Sequence, residues 1–190
     1  MLIRTAETPN PATRKFLPGR TVMEAGTRDF PDAASAAASP LAEAMFDSGM
    51  VEGVFFGRDF ISVTVAQGTS WGDLEPLILE TLLDHFLTDA PLFAPGSAGG
   101  INVAGDEDYG DDPADADIVE QIKELIETRV RPAVAQDGGD IVYRGYKNGT
   151  LYLAMQGACA GCPSSAVTLK RGIEGLIRHY VPEVEVVEAV

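Results

Sequence analysis

Cysteine, histidine and tryptophan are scarce in this chain: two, two and one among 190 residues. Two cysteines exclude a disulfide-stapled extracellular scaffold, which at this size rests on several pairs. They also exclude a self-contained zinc ribbon, which needs a second Cys or His pair. The histidines do not supply one, because His85 and His179 lie far apart in sequence, each on an amphipathic helical pattern, and structural or surface roles are expected for both. Basic charge is short as well. Fourteen Lys and Arg against 29 Asp and Glu leave a net charge of −15. Phosphate backbones repel such a chain, so nucleic-acid partners are excluded. No apolar run reaches the about 20 residues of a membrane-spanning helix, and no membrane partner is expected.

The first eleven residues lack the apolar core of a secretory signal. Arg4, Arg14, Lys15 and Arg20 have the look of an organellar transit peptide, but Glu7, Pro9, Pro11 and Pro18 oppose it. The expected compartment is therefore a reducing one, the bacterial cytoplasm, with the mitochondrial matrix after processing as the alternative.

The acidic surplus is uneven. Residues 106–117 hold seven acids and no base, whereas residues 118–190 are almost balanced, with eight bases against nine acids. The stretch from Pro95 through Gly99 and Gly100 to Pro113 has no hydrophobic period and is rich in Gly, Pro and like charges. Such composition stays extended and solvated. The pattern predicts an α+β protein of two small α+β domains, residues 1–94 and 116–190, joined by a flexible acidic Gly/Pro linker at 95–115.

In the first domain, residues 2–5 and 20–24 read as short strands. Ser39 followed by Pro40 marks a capped helix start, and residues 33–39 are either a loop or a helical turn. Residues 51–56 and 60–66 flank a Gly57-Arg58-Asp59 hairpin turn. Residues 70–87 carry a helical stripe that includes Trp71, expected to be core rather than a binding patch. In the second domain, Ile118, Ile122, Leu125, Ile126 and Val130 form a helix face that Pro132 ends or bends. A hairpin follows at 141–146 and 150–155 around Lys147-Asn148-Gly149, then a helix through Tyr180 and a strand at 184–187.

Both cysteines stand in Gly157-Ala158-Cys159-Ala160-Gly161-Cys162-Pro163, just ahead of that last helix. Pro163 suits a first helical turn, which puts Cys162 near the N-cap and Cys159 in a Gly-rich loop. Orphan amides and the helix dipole there favour thiolate, and the Gly, Pro and Ser flanks suit an exposed loop. A Cys-x-x-Cys pair can close a redox disulfide or hold half of a zinc or iron–sulfur site. A thioredoxin-like dithiol oxidoreductase calls for a βαβ setting and a first cysteine that opens the helix. No βαβ run is evident in the sequence. A zinc-bridged dimer is the third option. Asp137 to Asp140 reads as turn chemistry rather than a ligand set, and Lys170 and Arg171 as a solvated face.

The run Gln136-Asp137-Gly138-Gly139-Asp140, a hairpin, and then the cysteine motif before a helix resembles the C-terminal domain of NifU, which defines the Nfu family of iron–sulfur carriers. Glu7-Thr8-Pro9-Asn10-Pro11 with Lys15-Phe16 is similar to the Nfu N-terminal domain. The resemblance implies a non-enzymatic carrier in which Cys159 and Cys162 ligate a [4Fe-4S] cluster shared across a homodimer. It further implies an upstream assembly scaffold and apo iron–sulfur recipient proteins as partners.

Overall fold

The computed structural model describes residues 2–97, 109–160 and 163–190, the last segment with side chains from 167 onward. It divides into two compact units, one on either side of residues 98–108. No helix among the described residues is long and apolar enough to cross a membrane.

The first unit is an antiparallel sheet with helices on one face. Its strands are β1 (Arg4–Glu7), β2 (Thr13–Leu17), β3 (Arg28–Phe30), β4 (Val51–Phe56) and β5 (Ile61–Val65), arranged β1-β2-β5-β4-β3. Helices α1 (Ala33–Ala36), α2 (Pro40–Phe46) and α3 (Trp71–Leu87) complete it. Phe16, Phe30, Phe56, Ile61 and Val63 from the sheet meet Leu41, Met45, Leu74, Ile78 and Leu82 from the helices, all essentially without solvent exposure. Each helix begins on a side-chain cap, from Asp32, Ser39 or Ser70, that satisfies a first-turn amide. The ambiguous 33–39 segment is thus a short helix with a capping box between Asp32 and Ser35. The β4–β5 hairpin turns at Gly57, whose missing side chain makes room for the Phe60 ring.

One strand expectation fails here, and one strand goes unread. Residues 20–24 form no strand; Val22 and Met23 both donate their amides to the Arg58 carbonyl, a loop tether without a ladder. The strand unseen in the sequence is β2, which pairs with β1 on one side and β5 on the other. Its Arg14 and Lys15 disguise it, because both cations lie over aromatic rings, Arg14 on Trp71 and Lys15 on Phe60. Trp71 packs against the core and donates Nε1–H to the Pro11 carbonyl.

The second unit opens with a 3-10 turn (Pro113–Asp115) and α4 (Ala116–Leu125). Pro132 neither ends the helical path nor breaks it sharply. Having no amide proton, it disrupts ordinary i−4 bonding, and the chain absorbs this as a π turn (Ile126–Val130) in which Arg131 N–H reaches Ile126 O. The helix then resumes as α5 (Arg131–Gln136). Strands β6 (Gly139–Lys147) and β7 (Thr150–Gly157) form an antiparallel hairpin, with Asn148 and Gly149 both in the left-handed region as a type I′ turn requires. Helix α6 (Pro163–Tyr180) returns the chain to β8 (Val186–Ala189), which pairs parallel to β7. Ile122, Ile126, Val130 and Ile177 seal one face of this sheet against Ile141, Leu151, Leu153 and Val187.

The parallel β7–β8 pair makes β7-α6-β8 a βαβ unit. The sequence predicts a strand at 184–187 but not its pairing, since its parallel partner β7 is also half of a hairpin.

Candidate functional site

The cysteine loop leaves the end of β7, where Gly157 makes the last rung with Gly139 of β6. Two turns meet at this edge. Gly138 adopts φ +84° and Gly157 φ +63°, conformations open to glycine at little steric cost. Gly138 accepts from Ala158 N–H at 3.2 Å, and Gly157 accepts from Ala160 N–H at 3.0 Å. These bonds fold the loop back over the start of β6, and Ala158 and Cys159 enter the core at 3% and 4% exposure.

Cys159 is therefore a buried free thiol, a member of the second core cluster. Burial pushes its pKa up to about 12, and the negative charges of Asp137 and Asp140 act in the same direction. Both expectations drawn from the flanking residues are overturned for this cysteine. It does not stand in an exposed loop, and its surroundings favour the neutral thiol over thiolate. The reason is the glycine across the ladder. A Cβ on Gly139 would lie 2.6 Å from Cys159 Sγ and 2.5 Å from the Gln156 carbonyl oxygen, so the bare α-carbon is what admits the sulfur. Cys162, expected near the N-cap of α6, lies outside the described residues.

Asp137-Gly138-Gly139-Asp140 splits into two parts. Asp137 and Gly138 close the turn after α5, their amides donating to Val134 and Ala135 carbonyls. Asp140 is already a strand residue, 3% exposed, and takes a two-pronged contact from Arg131. Arg131 also binds Glu127 one helical turn back. The sequence reading missed Arg131, since nothing local marks a cation on a helix as the partner of a strand carboxylate nine residues on.

Among the described residues, no group of three or more His, Cys, Asp or Glu side chains is assembled. His85 is on α3 in the first unit, buried edge-on to Phe86, and burial lowers its pKa, with Arg20 adding to the effect. His179 is exposed on α6 in the second. A single described thiol is not a coordination sphere. What this geometry offers a soft metal is one cysteine thiol per chain, or two if Cys162 joins it, and any four-thiolate site needs further ligands.

The βαβ setting removes one argument against a dithiol oxidoreductase. The position and state of the first cysteine replace it. Cys159 precedes α6 rather than opening it, and a protonated, buried thiol is a poor nucleophile.

Two family profiles match in succession: the one described as scaffold protein Nfu/NifU N terminal over residues 3–89, and the NifU-like domain over residues 122–188. NifU-like protein 4, mitochondrial, of Arabidopsis thaliana is 48% identical over 99% of this chain and 65% of its own length. The NFU1 iron-sulfur cluster scaffold homolog, mitochondrial, of Homo sapiens is 45% identical over all of this chain and 72% of its own length. NifU-like protein 5, mitochondrial, of Arabidopsis thaliana is 47% identical over 99% of this chain and 67% of its own length. The chain thus spans about two thirds of the length of the relatives it matches, and it belongs to the Nfu family, with an Nfu N-terminal domain followed by a NifU-like domain.

Proposed function

We propose that this protein is an iron–sulfur cluster scaffold and carrier, not an enzyme. Two chains hold one [4Fe-4S] cluster through Cys159 and Cys162 of each, and pass it to apo iron–sulfur proteins. One observation carries the reading: the chain's only two cysteines fall within the segment that matches the NifU-like domain. The naming of a 45% identical relative as an iron-sulfur cluster scaffold supports it. Stoichiometry adds the homodimer, since a four-thiolate cluster needs two sulfurs from each of two such chains.

Transfer proceeds by ligand exchange. A recipient's thiolates replace the carrier's one at a time, each displaced cysteine recovers a proton from solvent, and the dimer separates as its bridge leaves. The upstream partner is an assembly scaffold that supplies the cluster. Relatives named as mitochondrial proteins favour the mitochondrial compartment over the bacterial cytoplasm for this chain as well.

Anaerobic reconstitution with ferrous iron and sulfide tests the reading. The expected product is a brown dimer with about four irons per two chains. Cys162→Ala abolishes the colour and leaves both units folded. A colourless product, or an iron-loaded single subunit, overturns it. Iron-free reductase turnover through a Cys159–Cys162 disulfide establishes the dithiol alternative instead.

A further inference from the structure

We infer that Gly139 is a positioning residue for the Cys159 ligand: its bare α-carbon is a notch that shelters the sulfur in the free subunit, and Cys159 must leave that notch to bind a cluster. The inference rests on the carrier reading above for its last step only.

Three observations carry it. First, Gly139 is not among the glycines with positive φ, and it occupies an ordinary rung of β6 opposite Gly157. Backbone conformation therefore does not demand glycine there. Space does, because any Cβ at this position falls 2.6 Å from Cys159 Sγ, 3.1 Å from Cys159 N and 2.5 Å from Gln156 O. Second, the sulfur that uses this space belongs to a residue only 4% exposed, packed within the core of its own chain. A cluster shared with a second chain has to meet this sulfur in the open, and a side chain seated on the β6 backbone cannot present it. Third, the loop is closed over the notch by two backbone hydrogen bonds, Ala158 N–H to Gly138 O and Ala160 N–H to Gly157 O. Neither bond belongs to the β6–β7 ladder beneath, so both can open with the ladder intact. When Cys159 emerges and ligates, its thiol proton passes to solvent and its sulfur lone pair to iron.

The consequence is a subunit whose first ligand is guarded against alkylation, oxidation and adventitious metal until a cluster and a second chain compete for it. It also gives the released carrier a reason to separate cleanly, since the displaced cysteine has a seat of its own to return to.

The test uses the full chain carrying Cys162→Ser, in which Cys159 is the sole thiol, kept anaerobic and iron-free. Iodoacetamide labelling of the folded protein is expected to run at least about ten-fold slower than in guanidinium chloride at the same pH. Gly139→Ala in that background, with its circular dichroism spectrum retained, should raise the folded rate about five-fold or more. Equal rates in the folded and unfolded chains overturn the notch, as does a folded Gly139→Ala variant with unchanged labelling. Because an alanine methyl also meets the Gln156 carbonyl, that variant can fail to fold. The second measurement therefore needs no substitution. Hydrogen exchange at the Ala158 and Ala160 amides of the native chain should accelerate on cluster loading, and unchanged protection overturns emergence of the loop. Labelling is read without iron, so a chain that guards Cys159 yet takes up no cluster refutes the carrier reading and upholds the notch. A chain that loads four irons per dimer from a fully reactive thiol does the reverse.

Discussion

Arg131 grips Asp140 with both arms of its guanidinium, Nε to Oδ1 at 2.8 Å and Nη2 to Oδ2 at 2.7 Å. The two ends differ in exposure. The Asp140 side chain is 4% exposed and that of Arg131 is 29%. Removing the cation strips a buried carboxylate of its charged partner and both of that partner's hydrogen bonds, and the Ile141 amide, which donates to Oδ1, carries no compensating charge. Removing the anion leaves an arginine that still touches Glu127 and water. Arg131→Met should therefore cost about 3–5 kcal/mol, and Asp140→Asn less, about 1–3 kcal/mol. The chain provides its own reporters. All five tyrosines lie at or beyond residue 109, in the second unit, and the single tryptophan lies in the first. Urea titrations followed by tyrosine signal should show the two losses in that order while the Trp71 transition stays put; equal losses would contradict the asymmetry.

The Cys159 thiol makes the second unit sensitive to alkali. Its pKa rises from an ordinary 9.0 to about 12 in the folded chain, because burial disfavours the thiolate. Between those values the unfolded chain releases a proton that the folded chain keeps. Stability contributed by the neutral thiol is thus complete below pH 9 and lost as pH climbs toward 12. At pH 10.5 the loss is about 2 kcal/mol. Tyrosines and lysines titrate nearby, so the comparison is with Cys159→Ala, measured anaerobically. The alanine variant starts less stable at pH 8 and should fall less steeply above pH 9. Parallel stability curves for the two proteins would rule out a buried thiol.

What could be read from residues alone divides along a physical line. Local codes were readable: Ser39 as a helix cap, a hairpin around Lys147-Asn148-Gly149, and the apolar stripes of α3, α4 and α6. Each depends on side chains within a few positions of one another. Relations across the sheet were not. Strand β2 hid because Arg14 and Lys15 look solvated until Trp71 and Phe60 are folded over to receive them. The burial of Cys159 hid because its Gly-rich flanks argue for exposure, while the cause of burial is a glycine about 20 residues away across a ladder. The βαβ unit hid for the same reason, since β8 finds β7 only after α6 has crossed over. The cysteine pair itself needed no fold to be singled out, being the only two sulfhydryls in the chain.

Ser39 tests whether the two units melt separately. Its hydroxyl, wholly buried, accepts from Ala42 N–H at 3.2 Å and donates to the Leu92 carbonyl at 2.6 Å. One oxygen thereby caps α2 and ties down the segment that follows α3. Ser39→Ala loses the cap and leaves the Leu92 carbonyl without this donor, a cost of about 1–3 kcal/mol. The tryptophan-detected transition should move to lower urea by that amount and the tyrosine-detected one should not move. Loss of both together would mean that the units fold as one.

Gly145 governs where the second unit begins. It sits at a bulge in β6 with φ +153°, and a side chain there would press on Tyr109 Cβ at 3.1 Å and on the Gly110 backbone at 3.1 and 3.2 Å. The bare position lets residues 109–111 lie against the hairpin. Tyr109 donates its amide to the Arg144 carbonyl and stacks on Tyr152, with ring centroids 4.4 Å apart and planes 11° apart. Asp111 then accepts from the Tyr143 hydroxyl and the Tyr146 amide, and lies 3.5 Å from Lys123. Residues 109–111, assigned from composition to a flexible linker, thus carry specific contacts to the sheet. Gly145→Val should strain the backbone, displace this segment and cost about 1–3 kcal/mol, whereas Tyr109→Ala, which removes the stack and keeps the backbone conformation, should cost about 1 kcal/mol. Hydrogen exchange at the Tyr146 amide separates the two. Its partner, Asp111, is displaced with the segment in Gly145→Val, so exchange there should quicken by about ten-fold or more, and by much less in Tyr109→Ala. Equal protection of Tyr146 in Gly145→Val and the parent chain would show that the Asp111 contact forms independently of the glycine.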